Sequence, residues 1–221
     1  MKSVIIFLLV VAVSGVFIVF NNKKISESLI QNFDNQAKNN LSQSSEDPMQ
    51  YEEEIFYPPL ENANERVTKK PFGIFVTPQE SPVSPEKFYG FHSAVDLEIF
   101  PGEENRDIQV RAICAGEILS KRSASGYGGV AVQSCELDEK PITVVYGHLN
   151  LKSINKNVSE KWEKGEVMRI LGEGYSLETD GERKHLHLGI HSGSSINILG
   201  YVQNKELLNE WIDPCLYICK E

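Results

Sequence analysis

A chain of 221 residues, 41% apolar and 24% charged, has the composition of a globular protein with room for one medium domain and its appendages. Its net charge of −9 and pI near 5.2 argue against a general phosphate-backbone binder, whose affinity comes from counterions released at Lys and Arg, so nucleic acid is not an expected partner. The same charge would not draw the protein to an anionic lipid surface, so any membrane attachment has to come from apolar insertion.

The N-terminus supplies such a segment. Val4 to Phe20 is a run of seventeen residues without a charge, preceded by Lys2 and followed by Asn21, Asn22, Lys23 and Lys24. Ala12-Val13-Ser14 is a passable signal-peptide cleavage site, which would leave a secreted protein. The apolar run nevertheless continues through Val16-Phe17-Ile18-Val19-Phe20 and reaches the lower end of the length needed to cross a bilayer. Residues 1–22 are therefore expected to be a transmembrane anchor, with the C-terminal domain outside the cytoplasm. From Lys23 to about residue 65 the chain is rich in Asn, Gln, Ser, Glu and Lys, with an acidic cluster at Glu52-Glu53-Glu54. It has too few apolar residues to fix a core and reads as a polar linker.

The texture changes from about residue 66. Pro71, Gly73, Pro78, Pro82 and Pro85 punctuate a loop-rich entry. Runs of strand length and composition follow at Asp107–Ser120, Gly129–Cys135, Ile142–Leu149, Val167–Leu171 and His185–His191. Turn signals separate them at Gly126-Tyr127-Gly128-Gly129, Gly172-Glu173-Gly174 and Asp180-Gly181. The pattern predicts an all-β, antiparallel domain over 66–221, a sheet or sandwich with loops around a central groove.

Four cysteines in a chain that reads as exported permit disulfides. If Ile108–Arg122 and Gly129–Glu136 form a hairpin around Ser125, Cys114 falls almost opposite Cys135, within bridging distance. Cys215 and Cys219 would then pair locally, although a regular helix holds such positions poorly for bonding. A cysteine zinc site is the weaker alternative, because no Cys-x-x-Cys pair exists.

The chemistry-bearing residues lie in three segments. His185-Leu186-His187 sits in a strand-like run, where side chains two apart share a face. Upstream, His92-Ser93-Ala94-Val95-Asp96 adds an imidazole and a carboxylate. A catalytic zinc takes three protein ligands and keeps a fourth position open, so His92, Asp96 and one of the paired histidines would suffice. His148, in Tyr146-Gly147-His148-Leu149, is a further imidazole free to act on water or substrate. A lone histidine in a strand is more often structural than functional; the concentration of four of the five histidines in these segments is what carries weight. The fifth, His191, shares the period-2 face of His185 and His187 and is expected to be an exposed rim residue.

In order and spacing these segments resemble the lysostaphin-type, or LytM-type, zinc metallopeptidases that cut peptidoglycan. That family carries His-x-x-x-Asp, then Tyr-x-His-Leu, then His-Leu-His, found here at His92–Asp96, Tyr146–Leu149 and His185–His187. Pro71-Phe72-Gly73, Gly126-Tyr127-Gly128-Gly129 and Trp211-Ile212-Asp213-Pro214 resemble its entry, glycine-rich turn and closing segment, so the likeness spans about residues 70–218. The resemblance implies Zn2+ bound by His92, Asp96 and His187, with His148 and His185 flanking the reacting water. It also implies an endopeptidase acting on peptidoglycan peptides; a non-catalytic wall-binding or hydrolase-activating module on the same fold is the alternative. The chain departs from the family at Ala94, where Gly is usual, at Leu188 and Gly189, where an aromatic residue and Glu are usual, and in the stretch Gly181-Glu182-Arg183-Lys184, which lacks the small residues often found before the last motif. None of these positions is an expected ligand, so they bear on the groove rather than on the metal. Nothing in the sequence speaks to oligomeric state.

Overall fold

The computed structural model describes residues 55–220. The expected anchor at 1–22 and most of the expected linker lie outside these residues. Among the described residues, no helix is long and apolar enough to cross a membrane.

The domain is all-β and antiparallel, as the alternating runs predict. Its main sheet runs in the order β12 (Trp211–Ile212), β10 (His185–Ser192), β7 (Lys140–Gly147), β6 (Gly128–Leu137), β5 (Gly116–Ala124), β8 (Lys161–Trp162). A further strand, β3 (Val95–Glu98), pairs with the first half of β10, beside the segment that β12 pairs with. A small sheet of β1 (Phe75–Val76), β2 (Gly90–His92) and β11 (Tyr201–Val202) and the pair β4 (Gln109–Arg111) and β9 (Val167–Ile170) complete the strands among these residues.

Strand alternation gives the main sheet two apolar faces. Ala131, Val144, Tyr146, Leu186, Leu188 and Ile190 belong to one cluster, with Trp162, Met168 and Leu171. Val130, Val132 and Val145 belong to another, with Tyr127, Val202 and Trp211. In β10 the leucines and Ile190 therefore go to the first cluster, and the period of two sends His185, His187 and His191 to the opposite face.

Two boundaries differ from the sequence reading. The linker expected over 23–65 gives way to folded chain before its end: Phe56, Leu60 and Ala63 are buried in the first cluster, and Ala63–Arg66 forms a single helical turn, α1. The Tyr57 amide donates to the Ile113 carbonyl at 2.8 Å, and the Arg111 amide donates to the Pro59 carbonyl at 2.9 Å. Three apolar residues spaced over eight positions sufficed to attach a segment whose average composition is polar. Second, the run Asp107–Ser120 divides into β4 and β5. The chain must leave β9 and join β6, and it does so through residues 112–115, where the Ile113 amide is satisfied by Tyr146 Oη at 3.0 Å.

Cys114 is bonded to Cys135 with Cα atoms 6.1 Å apart, and Cys215 to Cys219 at 4.6 Å. The second pair spans α2 (Cys215–Ile218), a single turn rather than a regular helix, which relieves the geometric objection to it. Replacing Cys114 and Cys135 together by Ser opens a link of sequence separation 21 and is expected to cost about 3 kcal/mol of stability. A thermal melt of the oxidised proteins checks it; an unchanged Tm would show that pairing of β5 with β6 already supplies the constraint.

Candidate functional site

β3 and β10 build the site by register. Asp96 stands directly across from His187 and Glu98 from His185, so two imidazoles and two carboxylates form a block on one face. His92, at the end of β2, is carried over this face by the small sheet, where it pairs with Tyr201. His148 arrives from the end of β7. Its φ of 62° lies in the left-handed region that non-glycine residues rarely adopt, a backbone state found more often at functional sites than elsewhere.

Three donor atoms converge. Asp96 Oδ1 lies 3.1 Å from His187 Nδ1 and 3.3 Å from His92 Nε2, and the two nitrogens are 3.3 Å apart. A tetrahedral zinc with bonds of about 2.0–2.1 Å has ligand–ligand edges of about 3.3–3.4 Å, so this triangle matches one face of such a site. The outer nitrogens support the same reading. His92 Nδ1 faces the Pro71 carbonyl at 3.3 Å, and a carbonyl can only accept, so the proton sits on Nδ1 and Nε2 turns its lone pair inward. That nitrogen is thereby turned toward Asp96 Oδ1 and His187 Nδ1, the arrangement a ligand to a shared cation needs. His187 Nε2 meets Tyr127 Oη at 3.1 Å, which can accept its proton and leave Nδ1 free to ligate. The residues present therefore fit a zinc ion.

Electrostatics agree with the donor geometry. Burial, followed by the neighbouring His92 and His185 rings, lowers the His187 pKa to about 4 against the pull of Asp96, so the imidazole is neutral as a ligand must be. Burial alone would raise the Asp96 carboxyl, but the facing histidines outweigh it and hold the group well below its usual range.

Asp96, His148, His185 and His187 line a cavity of about 280 Å³, with Tyr127 and Tyr201 also in its wall. The His148 and His185 rings stand 4.2 Å apart, centroid to centroid. His185 Nδ1 donates to the Arg183 carbonyl at 2.8 Å, which turns Nε2 toward the cavity, 3.3 Å from Asp96 Oδ2. Burial first, and then the neighbouring His185 and His187 rings, push the His148 pKa well below the usual value, and its buried Nδ1 has no hydrogen-bond partner among the described residues.

The structure thus brings together all five of the residues singled out from the sequence. It places His191 differently: the ring is buried against Trp211, centroids 4.9 Å apart, rather than exposed on a rim. The departures at 94 and 189 are neighbours, since a Cβ on Gly189 would lie 3.2 Å from the Trp211 ring and 3.6 Å from Ala94 Cβ. A side chain at 189 would therefore crowd the Trp211 ring of β12. Several cavity residues escaped the sequence reading. Arg183 ion-pairs with Asp96, and its place two residues before His185 was the signal that could have found it. Lys70 forms a buried ion pair with Glu86 at 2.6 Å and donates to Tyr201 Oη at 3.0 Å; its three parts come from distant segments with no shared motif.

No protein-family model matches the sequence, and no curated protein matches it. Among solved structures, the chain is similar to the catalytic domain of the antimicrobial peptidase lysostaphin from Staphylococcus simulans, at 18% identity and a TM-score of 0.48, over 72% of this chain and 96% of that one. It is similar to a chain of the SpoIIQ–SpoIIIAH pore-forming complex at 18% identity and a TM-score of 0.49, over 75% and 91% of the two chains. LytU follows at 16% and 0.47, over 69% and 83%. Lysostaphin, whose family the sequence motifs resemble, is thus among the proteins to which this chain is structurally similar.

Proposed function

We propose that this chain is a zinc-dependent endopeptidase that hydrolyses peptide cross-links of bacterial peptidoglycan. The observation that carries the reading is the convergence of His92 Nε2, Asp96 Oδ1 and His187 Nδ1 at zinc spacing, with Asp96 and His187 in the wall of a cavity that also holds two further imidazoles. The substrate class is carried over from the motif resemblance.

When bound, zinc supplies Lewis acidity, which acidifies water and polarises an amide carbonyl. The rest of the chemistry falls to the side chains. His148 starts neutral because it is buried, and His185 is held with Nε2 toward the cavity, so this pair can take a proton from the attacking water and return it to the leaving amine. Tyr127 and Tyr201 keep their protons, because burial and the nearby Asp96 charge raise both phenols. With Tyr201 Oη already accepting from Lys70, its own O–H is left to donate to a substrate oxygen or to developing negative charge. Two disulfides suit an oxidising compartment, and the apolar run at 4–20 suits a tether on the same side of the membrane.

The test uses the purified full chain, with zinc measured alongside release of peptides from isolated sacculi and from synthetic cross-link peptides. Stoichiometric zinc with new amino termini is the expected result. Stoichiometric zinc without cleavage of any cross-link would favour the wall-binding module, and a folded protein that takes up no zinc would overturn the mechanism.

A further inference from the structure

Arg183 touches the site twice, through its side chain and through its backbone. Its Nη2 donates to Asp96 Oδ2 at 2.9 Å, and its Nε lies 3.0 Å from each Glu98 oxygen. Its carbonyl accepts from His185 Nδ1. Asp96 is thereby divided: Oδ1 faces the two histidine donors, while Oδ2 is taken by the guanidinium, with His185 Nε2 beside it. The side chains of Asp96, Glu98 and Arg183 are 3%, 9% and 11% exposed, so water cannot readily take the place of these contacts.

On the metal-site reading above, we infer that Arg183 is a positioning residue that restricts Asp96 to one-oxygen coordination and sets the orientation of His185. An unrestrained carboxylate can rotate and offer a cation one oxygen or both. A planar guanidinium bridging two carboxylates fixes the plane of each, which a point charge on a flexible stem does not do. Glu98 has a defined part in this. A lone arginine beside a metal ligand would repel the ion, but Asp96, Glu98 and Arg183 together carry one negative charge, the same as a single aspartate. Lys69 also reaches Glu98, at 3.3 Å, from a half-exposed position. The buried trio of Asp96, Glu98 and Arg183 keeps the charge of one carboxylate, and Asp96 loses its rotational freedom. The bulky Glu182-Arg183-Lys184 sequence before His185 thus has a metal-directed purpose as well as any effect on the groove.

The experiment compares the full chain with its Arg183→Lys and Arg183→Ala variants. Zinc affinity is measured by competition with a chelator, and visible absorption is recorded after substitution with Co2+, whose ligand-field bands weaken as coordination rises from four to five. Both variants are expected to lose roughly 10–100-fold in zinc affinity, the usual cost of removing an outer partner of a ligand. Their Co2+ bands should weaken as the second Asp96 oxygen is released. Arg183→Lys preserves the charge and is the informative variant if Arg183→Ala fails to fold. A merely structural arginine would lower Tm while leaving affinity and spectrum at their wild-type values, and that result would overturn the inference alone. Failure of the wild-type protein to bind either metal would overturn the metal-site reading and this inference with it.

Discussion

His187→Ala is expected to empty the metal site. The substitution removes one of three converging donors, and the two that remain cannot close a zinc face. Affinity should fall further than the roughly 10–100-fold that follows loss of an outer hydrogen-bond partner, so that protein purified in micromolar zinc carries little metal and no measurable activity. Metal analysis of the folded variant checks this. The fold should survive, because Leu186 and Leu188 on the other face of β10 hold the strand in the first cluster, and Asp96 keeps its ion pair with Arg183. Stoichiometric zinc in His187→Ala would show that the donor triangle is a hydrogen-bonded cluster and not a metal site.

His148 should behave in the opposite way with respect to the metal. Replacing it by Asn, which tolerates the left-handed backbone at φ 62°, is expected to leave zinc content unchanged and to reduce turnover by about 10²–10⁴-fold. The separation matters because it distinguishes chemistry from assembly. A drop in zinc content parallel to the drop in rate would place His148 among the ligands. An undiminished rate would leave proton transfer to His185 alone, whose Nε2 is already turned to the cavity by the Arg183 carbonyl.

The two predictions rest on residues that differ in how visible they were before the structure. His185 and His187 were legible as a pair because a strand returns side chains to one face every two residues, and Leu186 between them falls on the other face. His92 and Asp96 were legible only as a spacing. Nothing in a sequence says that β3 will lie against β10 with Asp96 opposite His187, because that register depends on residues elsewhere that fill both faces of the sheet. The Cys114–Cys135 pair was legible for a local reason, since a hairpin with a glycine-rich turn brings its own ends together. The start of the folded region was not, because composition averages over a segment whereas burial selects individual residues such as Phe56 and Leu60.

The sequence by itself determined the antiparallel β class, the main strands and their turns, the disulfide hairpin, and the three short motifs that hold the five candidate residues. These depend on periodicity and on turn chemistry, which act over a few neighbours in the chain. Only the tertiary structure decided that three donors meet at zinc spacing and that Arg183 commits one oxygen of Asp96. It also decided that Tyr201 and Lys70 share the cavity and that His191 is buried away from it. Those facts are distances between residues far apart in sequence, set by strand register and side-chain packing, and no local pattern encodes them.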